Sequence, residues 1–203
     1  MAGSPLDELT PTGPGLTLVT GPNGSGKSSA ARALAARVAG ARLLSAESQQ
    51  AFYEAQLAAD ESNFRGGVDT SSKVRELLGE AGRAHPLFAA FRLQALWERG
   101  YRLLSTGEGR KVLLLQAVLS APSLLILDDP FDGLDRAAQA ELAHAIVHVA
   151  EHLPLLVVGT LGAGELPFSL DALREVLVIT ERQLSFRGTP QAFLARASNG
   201  SSQ

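Results

Sequence analysis

Hydrophobic positions along the chain fall into two regimes. Residues 16–20 (LTLVT), 123–127 (SLLIL), 153–159 (LPLLVVG) and 175–180 (EVLVIT) are short, nearly continuous apolar runs rich in Leu, Val and Ile. Runs of this length with little polar alternation predict strands buried on both faces. Between them lie stretches with helical character: KSSAARALAARVA (27–39), stopped by Gly40, a segment starting near Glu108, and RAAQAELAHAIVHVAEH (136–152). A turn at ERQ, a strand LSFRG (184–188) and a short helix PQAFLAR (190–196) complete the pattern. Strands alternating with helices predict an α/β fold, a mostly parallel sheet flanked by helices.

From about Ala51 to Gly100 the pattern changes. SKVRELLGEAG (72–82) and HPLFAAFRLQALWERG (85–100) carry apolar positions three and four apart, the spacing of amphipathic helices. A helical subdomain over roughly 51–115, inserted in the α/β core, is the expected organisation.

Composition narrows the class without naming it. The 203 residues suit one large domain. A net charge of -3 gives no general nucleic-acid surface, so nucleic acid is not an expected partner. Absence of cysteine excludes disulfides and thiolate metal sites and fits a reducing, cytoplasmic location. The first fifteen residues contain Asp7 and Glu8 and no signal-peptide core, and no apolar run reaches the roughly 20 residues that cross a bilayer, so direct membrane insertion is not expected.

The first chemical motif is GPNGSGKS, Gly21 to Ser28, between a predicted strand and a predicted helix. In this phosphate-binding loop, Gly21, Gly24 and Gly26 let backbone N–H groups turn inward around a phosphate. Pro22, Asn23 and Ser25 complete the loop, and the helix that follows directs its positive end at the same oxygens. Lys27 can reach the β- and γ-phosphates of ATP, Ser28 can hold Mg²⁺, and Ser29 belongs to the same first turn. The second motif is LLILDDP, in which a buried strand delivers Asp128 to its C-terminal edge, the place for a Mg²⁺-side carboxylate.

LLSTGEGRK (103–111) ahead of LLILDDPFDGLD (124–135) adds a third element. In order and spacing, the three resemble the phosphate loop, signature motif and Walker B–D-loop segment of ATP-binding cassette (ABC) ATPases over residues 16–196. With ESQQAFYEAQLAADESNF (47–64), the sequence is similar to the branch of molybdate-transport ATP-binding and photorepair proteins. The resemblance implies a P-loop NTPase, with residues 1–203 forming a single ABC ATP-binding domain. It also implies Mg-ATP binding and hydrolysis, and a head-to-tail pairing with a second ABC domain, a homodimer or a paired cassette. Ser105, Gly107 and Glu108 would then face the γ-phosphate bound by the partner, with Thr106 and Glu108 standing where Gly and Gln are usual. Gln49, or its neighbour Gln50, would be the Q-loop residue touching Mg²⁺ and the attacking water, and Asp135 the D-loop aspartate. Membrane transporter subunits are the further partners implied, holding the protein at the membrane periphery.

Two departures bear on turnover and a third on affinity for the base. Asp129 stands where the family has a catalytic Glu. One methylene less withdraws the carboxylate by roughly 1.5 Å, and a misplacement of about 1 Å can cost on the order of a hundredfold in rate. Thr160–Leu161 stands where a Thr–His pair is usual, and leucine cannot hydrogen-bond a γ-phosphate. No aromatic residue precedes the first strand to stack on adenine, and the usual leading strands are missing. Slow hydrolysis is therefore expected, with an ATP-gated interaction module that does not turn over as the alternative.

His144, His148 and His152 recur every four residues but share a helix face with Glu141 and Glu151, opposite Leu142, Ile146 and Val149, which predicts a solvated stripe. Trp97, Phe88 and Phe91 are expected to pack the helical subdomain.

Overall fold

The computed structural model describes residues 9–59, 70–160 and 166–200. Along them run β1 (Gly15–Thr20), α1 (Lys27–Arg37), β2 (Ala41–Ser45), α2 (Ala46–Ala59), α3 (Val74–Ala84), α4 (Pro86–Ala90) and α5 (Thr106–Leu119). Then come β3 (Leu124–Asp128), α6 (Arg136–Ala150), β4 (Pro154–Val158), β5 (Leu173–Thr180), β6 (Gln183–Gly188) and α7 (Pro190–Gly200). The chain divides into two compact units, one of residues 1–44, 122–130 and 146–203, the other of residues 45–121 and 131–145. The second therefore takes in residues 131–145, which the sequence pattern groups with the returning α/β segment.

The first unit is built on a six-stranded sheet of order β2-β3-β4-β1-β5-β6. β1 pairs parallel with β4 and β5, β3 pairs parallel with β4, and β6 closes the far edge antiparallel to β5. All five residues of β3 are buried, as expected of a central parallel strand covered on both sides. Alternation along the strands sends Val19, Ile126, Leu156, Val158, Leu177 and Ile179 to one face, where Ala31 and Leu34 of α1 join them. The alternate residues Leu18, Leu125, Leu127, Leu155 and Val157 are buried equally on the other face. α1 forms from an alanine-rich segment with few β-branched residues and ends where Val38 turns extended. Proline at the first position and a Thr189 hydroxyl accepting from the Ala192 N–H start α7. Arg174 on β5 donates to the carbonyls of Gly13 and Pro14 and to the Thr12 hydroxyl, tying the leading segment to the sheet.

The second unit is helical. The helical spacing of residues 85–100 is realised in short pieces rather than in one helix. α4 is one short helix capped by the His85 ring, Arg92 turns into the left-handed region at φ 57°, and residues 93–96 form a 3-10 turn. The break lets Trp97 fold back edge-on against Phe88, ring centroids 5.3 Å apart, while Phe91 is fully buried. These aromatics thus pack the unit, as their spacing suggests. Along α6 and just past its end, His144 and His152 are exposed, whereas Leu142, Ile146 and Val149 are buried, which gives the solvated stripe read from the sequence.

Candidate nucleotide-binding site

In the first unit, the carboxyl ends of β1, β3 and β4 converge, and β4 lies between the other two. Open parallel sheets place ligands at such an edge. Backbone bonds lock the ends together: the Asp129 N–H donates to Val158 O at 2.8 Å, and the Gly159 N–H to Val19 O at 3.0 Å. Thr160 adds a side-chain link by donating from Oγ1 to Asn23 Oδ1 at 2.8 Å.

The loop after β1 has the backbone its glycines predict. Gly21, Gly24 and Gly26 have φ of 149°, 75° and 94°, values that side-chain-bearing residues rarely adopt. Gly21 is also a close-approach position, because a Cβ there would stand 2.0 Å from the Ile179 carbonyl oxygen on β5. Lys27 is buried at 6% exposure, and its Nζ donates to the carbonyls of Gly21 and Pro22, both at 2.8 Å. A positive charge therefore sits within the glycine loop at the start of α1, an arrangement that can take a polyphosphate. Ser25 lies within the loop, and its hydroxyl is buried with no hydrogen-bond partner among the described residues. Ser29 is exposed on the first turn of α1.

Ser28, the residue after Lys27, donates from Oγ to Asp128 Oδ1 at 3.0 Å across 100 residues of sequence. Asp128 is 4% exposed at the end of β3. A hydroxyl and a carboxylate so placed offer the hard oxygen donors that suit Mg²⁺. Asp129 follows, exposed and left-handed at φ 49°, a conformation that Asp tolerates better than most residues. Leu161 lies outside the described residues.

The remaining predicted residues belong to the second unit. Gln49 and Gln50 lie in the first turns of α2, and the structure separates them: Gln50 Nε2 bonds Glu54, while Gln49 Oε1 accepts from Arg110 Nε at 2.8 Å. Burial pulls the Arg110 guanidinium below its ordinary pKa, against the charges of Asp132 and Tyr101. Ser105 caps α5 in a reciprocal pair, accepting from the Glu108 N–H at 3.2 Å while Glu108 Oε2 accepts from the Ser105 N–H at 2.8 Å. The capping box accepts Glu or Gln at its fourth position, which accounts for Glu108 in physical terms. Gly107 packs closely, since a Cβ there would come within 3.3 Å of the Ala138 Cβ. Asp135 accepts from the Ala138 N–H at 2.8 Å, capping α6.

Tyr101 packs edge-on to Phe52, centroids 4.8 Å apart, and burial pushes its hydroxyl up to about 12, with Arg110 pulling the other way. The folded chain therefore keeps this proton between pH 10 and 12, where the unfolded chain releases it, and stability falls across that window. The urea midpoint is expected to drop between pH 9 and 11.5, and to drop less in Tyr101→Phe.

Sequence reasoning missed the Thr160–Asn23 bond and the side chain of Arg182, which lies against Gly26. No local pattern signals either one, because both depend on segments brought together by the sheet.

Fold and site together define an ABC-type ATPase cassette. The ABC transporter family model matches residues 13–132, more than half of the chain, and the chain belongs to that family. It is 39% identical over 146 residues to the ABC transporter ATP-binding protein ModF of Escherichia coli K12, covering 62% of this chain and 29% of that protein's length. It is 32% identical over 199 residues to a zinc import ATP-binding protein ZnuC of Alkalilimnicola ehrlichii, covering 94% of this chain and 73% of that one. Among solved structures, an ABC transporter cassette in its ADP conformation superposes with TM-score 0.63 at 16% identity, over 92% of this chain and 85% of the other. A nucleotide-free cassette gives 0.64 at 17% identity, over 91% and 84%. At these identities the structural likeness speaks for the fold. No described helix is long and apolar enough to cross a membrane.

Proposed function

We propose that this chain binds Mg-ATP, hydrolyses it slowly, and pairs head-to-tail with a second ABC domain. The observation that carries the reading is the 3.0 Å bond from Ser28 to Asp128, which joins the phosphate loop to the end of β3. Lys27 and backbone N–H groups of the loop and the start of α1 hold the β- and γ-phosphates, and Ser28 and Asp128 hold Mg²⁺. That ion, when bound, supplies charge neutralisation between the phosphates. Asp129 orients the attacking water and receives its proton, with Gln49 as the Q-loop residue. In the pair, the α5 cap with Ser105, Gly107 and Glu108 faces the partner's γ-phosphate, and Asp135 lies at the interface. The relatives' names speak of transport and zinc import, and in keeping with transport this chain works beside a paired cassette and membrane subunits at the cytoplasmic face.

Steady-state phosphate release by the purified protein with Mg-ATP, with light scattering in the presence and absence of ATP, tests the reading. Mg²⁺-dependent turnover together with ATP-dependent doubling of mass is expected. Binding and doubling without turnover would leave the ATP-gated module, a reading favoured by Asp129 in place of Glu. Failure to bind ATP would overturn both.

Asp129→Glu should raise turnover about tenfold. The longer side chain restores the roughly 1.5 Å of reach, and the left-handed backbone, less suited to Glu, takes back part of the gain. Single-turnover phosphate release at saturating ATP reads the change. An unchanged or lower rate would place the water away from this carboxylate.

A further inference from the structure

A cavity of about 380 Å³ opens beside the phosphate loop, in the size range of small-ligand pockets. Its lining includes Leu9, Ile179 and Leu184 as apolar wall, Gly26 from the loop, and Arg182 and Gln183 from the turn between β5 and β6. That turn is unusual. Its two central residues, Glu181 and Arg182, both have left-handed φ, 50° and 63°. Two-residue hairpins of this kind are ordinarily made by Asn-Gly or Gly-Gly, because a side chain is costly there. A backbone bond ties the tip to the loop, the Arg182 N–H donating to Ser25 O at 3.0 Å. The Arg182 side chain then runs against the loop's end, with its Cγ 3.1 Å from where a Cβ on Gly26 would stand. Among the contacts described, its guanidinium belongs to no ion pair and is exposed at the cavity.

We infer that this cavity receives the base of the bound nucleotide, with the planar Arg182 guanidinium stacking on the ring and the Gln183 amide at its polar edge. The inference rests on the nucleotide-binding reading above. Three features combine: an apolar wall, an arginine whose side-chain stem lies against the end of the phosphate loop and which lines the cavity, and strain retained at a turn where glycine would relieve it. Arginine stacks on aromatic planes as lysine does not. An amide that both donates and accepts matches the edge of a purine.

Calorimetric titration of the purified chain with ATP and, separately, with inorganic tripolyphosphate tests this in wild type, Arg182→Gly, Arg182→Lys and Lys27→Ala. Glycine suits the left-handed turn, so Arg182→Gly keeps the hairpin, and a melting temperature no lower than wild type verifies it. Wild type should bind ATP at least tenfold more tightly than tripolyphosphate. Arg182→Gly should lose about tenfold for ATP and nothing for tripolyphosphate, the signature of a lost stacking contact. Arg182→Lys should lose most of the same factor, and Lys27→Ala should weaken both ligands. Equal losses for both ligands in Arg182→Gly would make Arg182 a phosphate ligand, and no loss would make the turn structural; either overturns the inference while leaving nucleotide binding intact. Full ATP affinity in Arg182→Lys would also overturn it. Wild type that binds neither ligand would instead remove the nucleotide reading, and the base site with it.

Discussion

Lys27→Ala is expected to lower ATP turnover by about 100–1000-fold while leaving the fold in place, the scale seen when one electrostatic contact to a developing charge is removed. Its Nζ is deeply set, with 2.8 Å bonds to the carbonyls of Gly21 and Pro22. Truncation removes the only lysine of the loop and leaves two carbonyls to find other donors. Pro22 is exposed and Gly21 half-buried, so water can replace the amine, and the structural cost is about 1 kcal/mol. The outcome separates by instrument: phosphate release collapses while the thermal transition moves by a few degrees. Turnover that survives the substitution would show that the loop is not the hydrolytic site.

Gly21→Ala is expected to damage the loop more deeply, by about 3 kcal/mol or more of stability. Two costs fall on one methyl group. The backbone at φ 149° is poorly suited to any side chain, which costs about 1–3 kcal/mol. The Cβ would also stand 2.0 Å from the Ile179 carbonyl oxygen, and relieving that contact means shifting either the loop or β5 at about 1–3 kcal/mol more. Urea unfolding reads the loss, and ATP binding should fall with it because the loop cannot keep its shape. Gly24→Ala is the control. Gly24 is left-handed too, but nothing lies within 4 Å of its would-be Cβ, so only the backbone part of the cost remains.

Much of this architecture was readable from residue order alone, and the reasons are local. Gly21 to Ser28 are contiguous, so their glycines, lysine and serine announce a phosphate loop without a fold, and the apolar run ending at Asp128 announces a strand whose tip carries a carboxylate. The break at Arg92 was not readable. The apolar spacing of residues 85–100 is helical throughout, and what interrupts it is the closure of Trp97 onto Phe88, an interaction outside the periodicity. Gly79, at φ 60° within α3, is a similar interruption inside a strongly amphipathic stretch. Gln49 and Gln50 are equivalent in sequence and differ only once Arg110, 61 residues on, bonds one of them. Arg182 reads as an ordinary surface arginine until β5 and β6 bring it to the loop.

The position of β4 between β1 and β3 bears on how the molecule comes to be active as it folds. Residues 15–20 and 124–128 never pair directly; each takes its place by pairing with residues 154–158. The phosphate loop, though contiguous in sequence, thus has no carboxylate facing it until a segment more than 130 positions downstream has docked. Assembly through such distant parallel pairings is slow, because long chain loops must close before the contacts compensate. ATP-binding competence should consequently arrive with the final cooperative phase of refolding, and early collapsed species should carry the motif without the site.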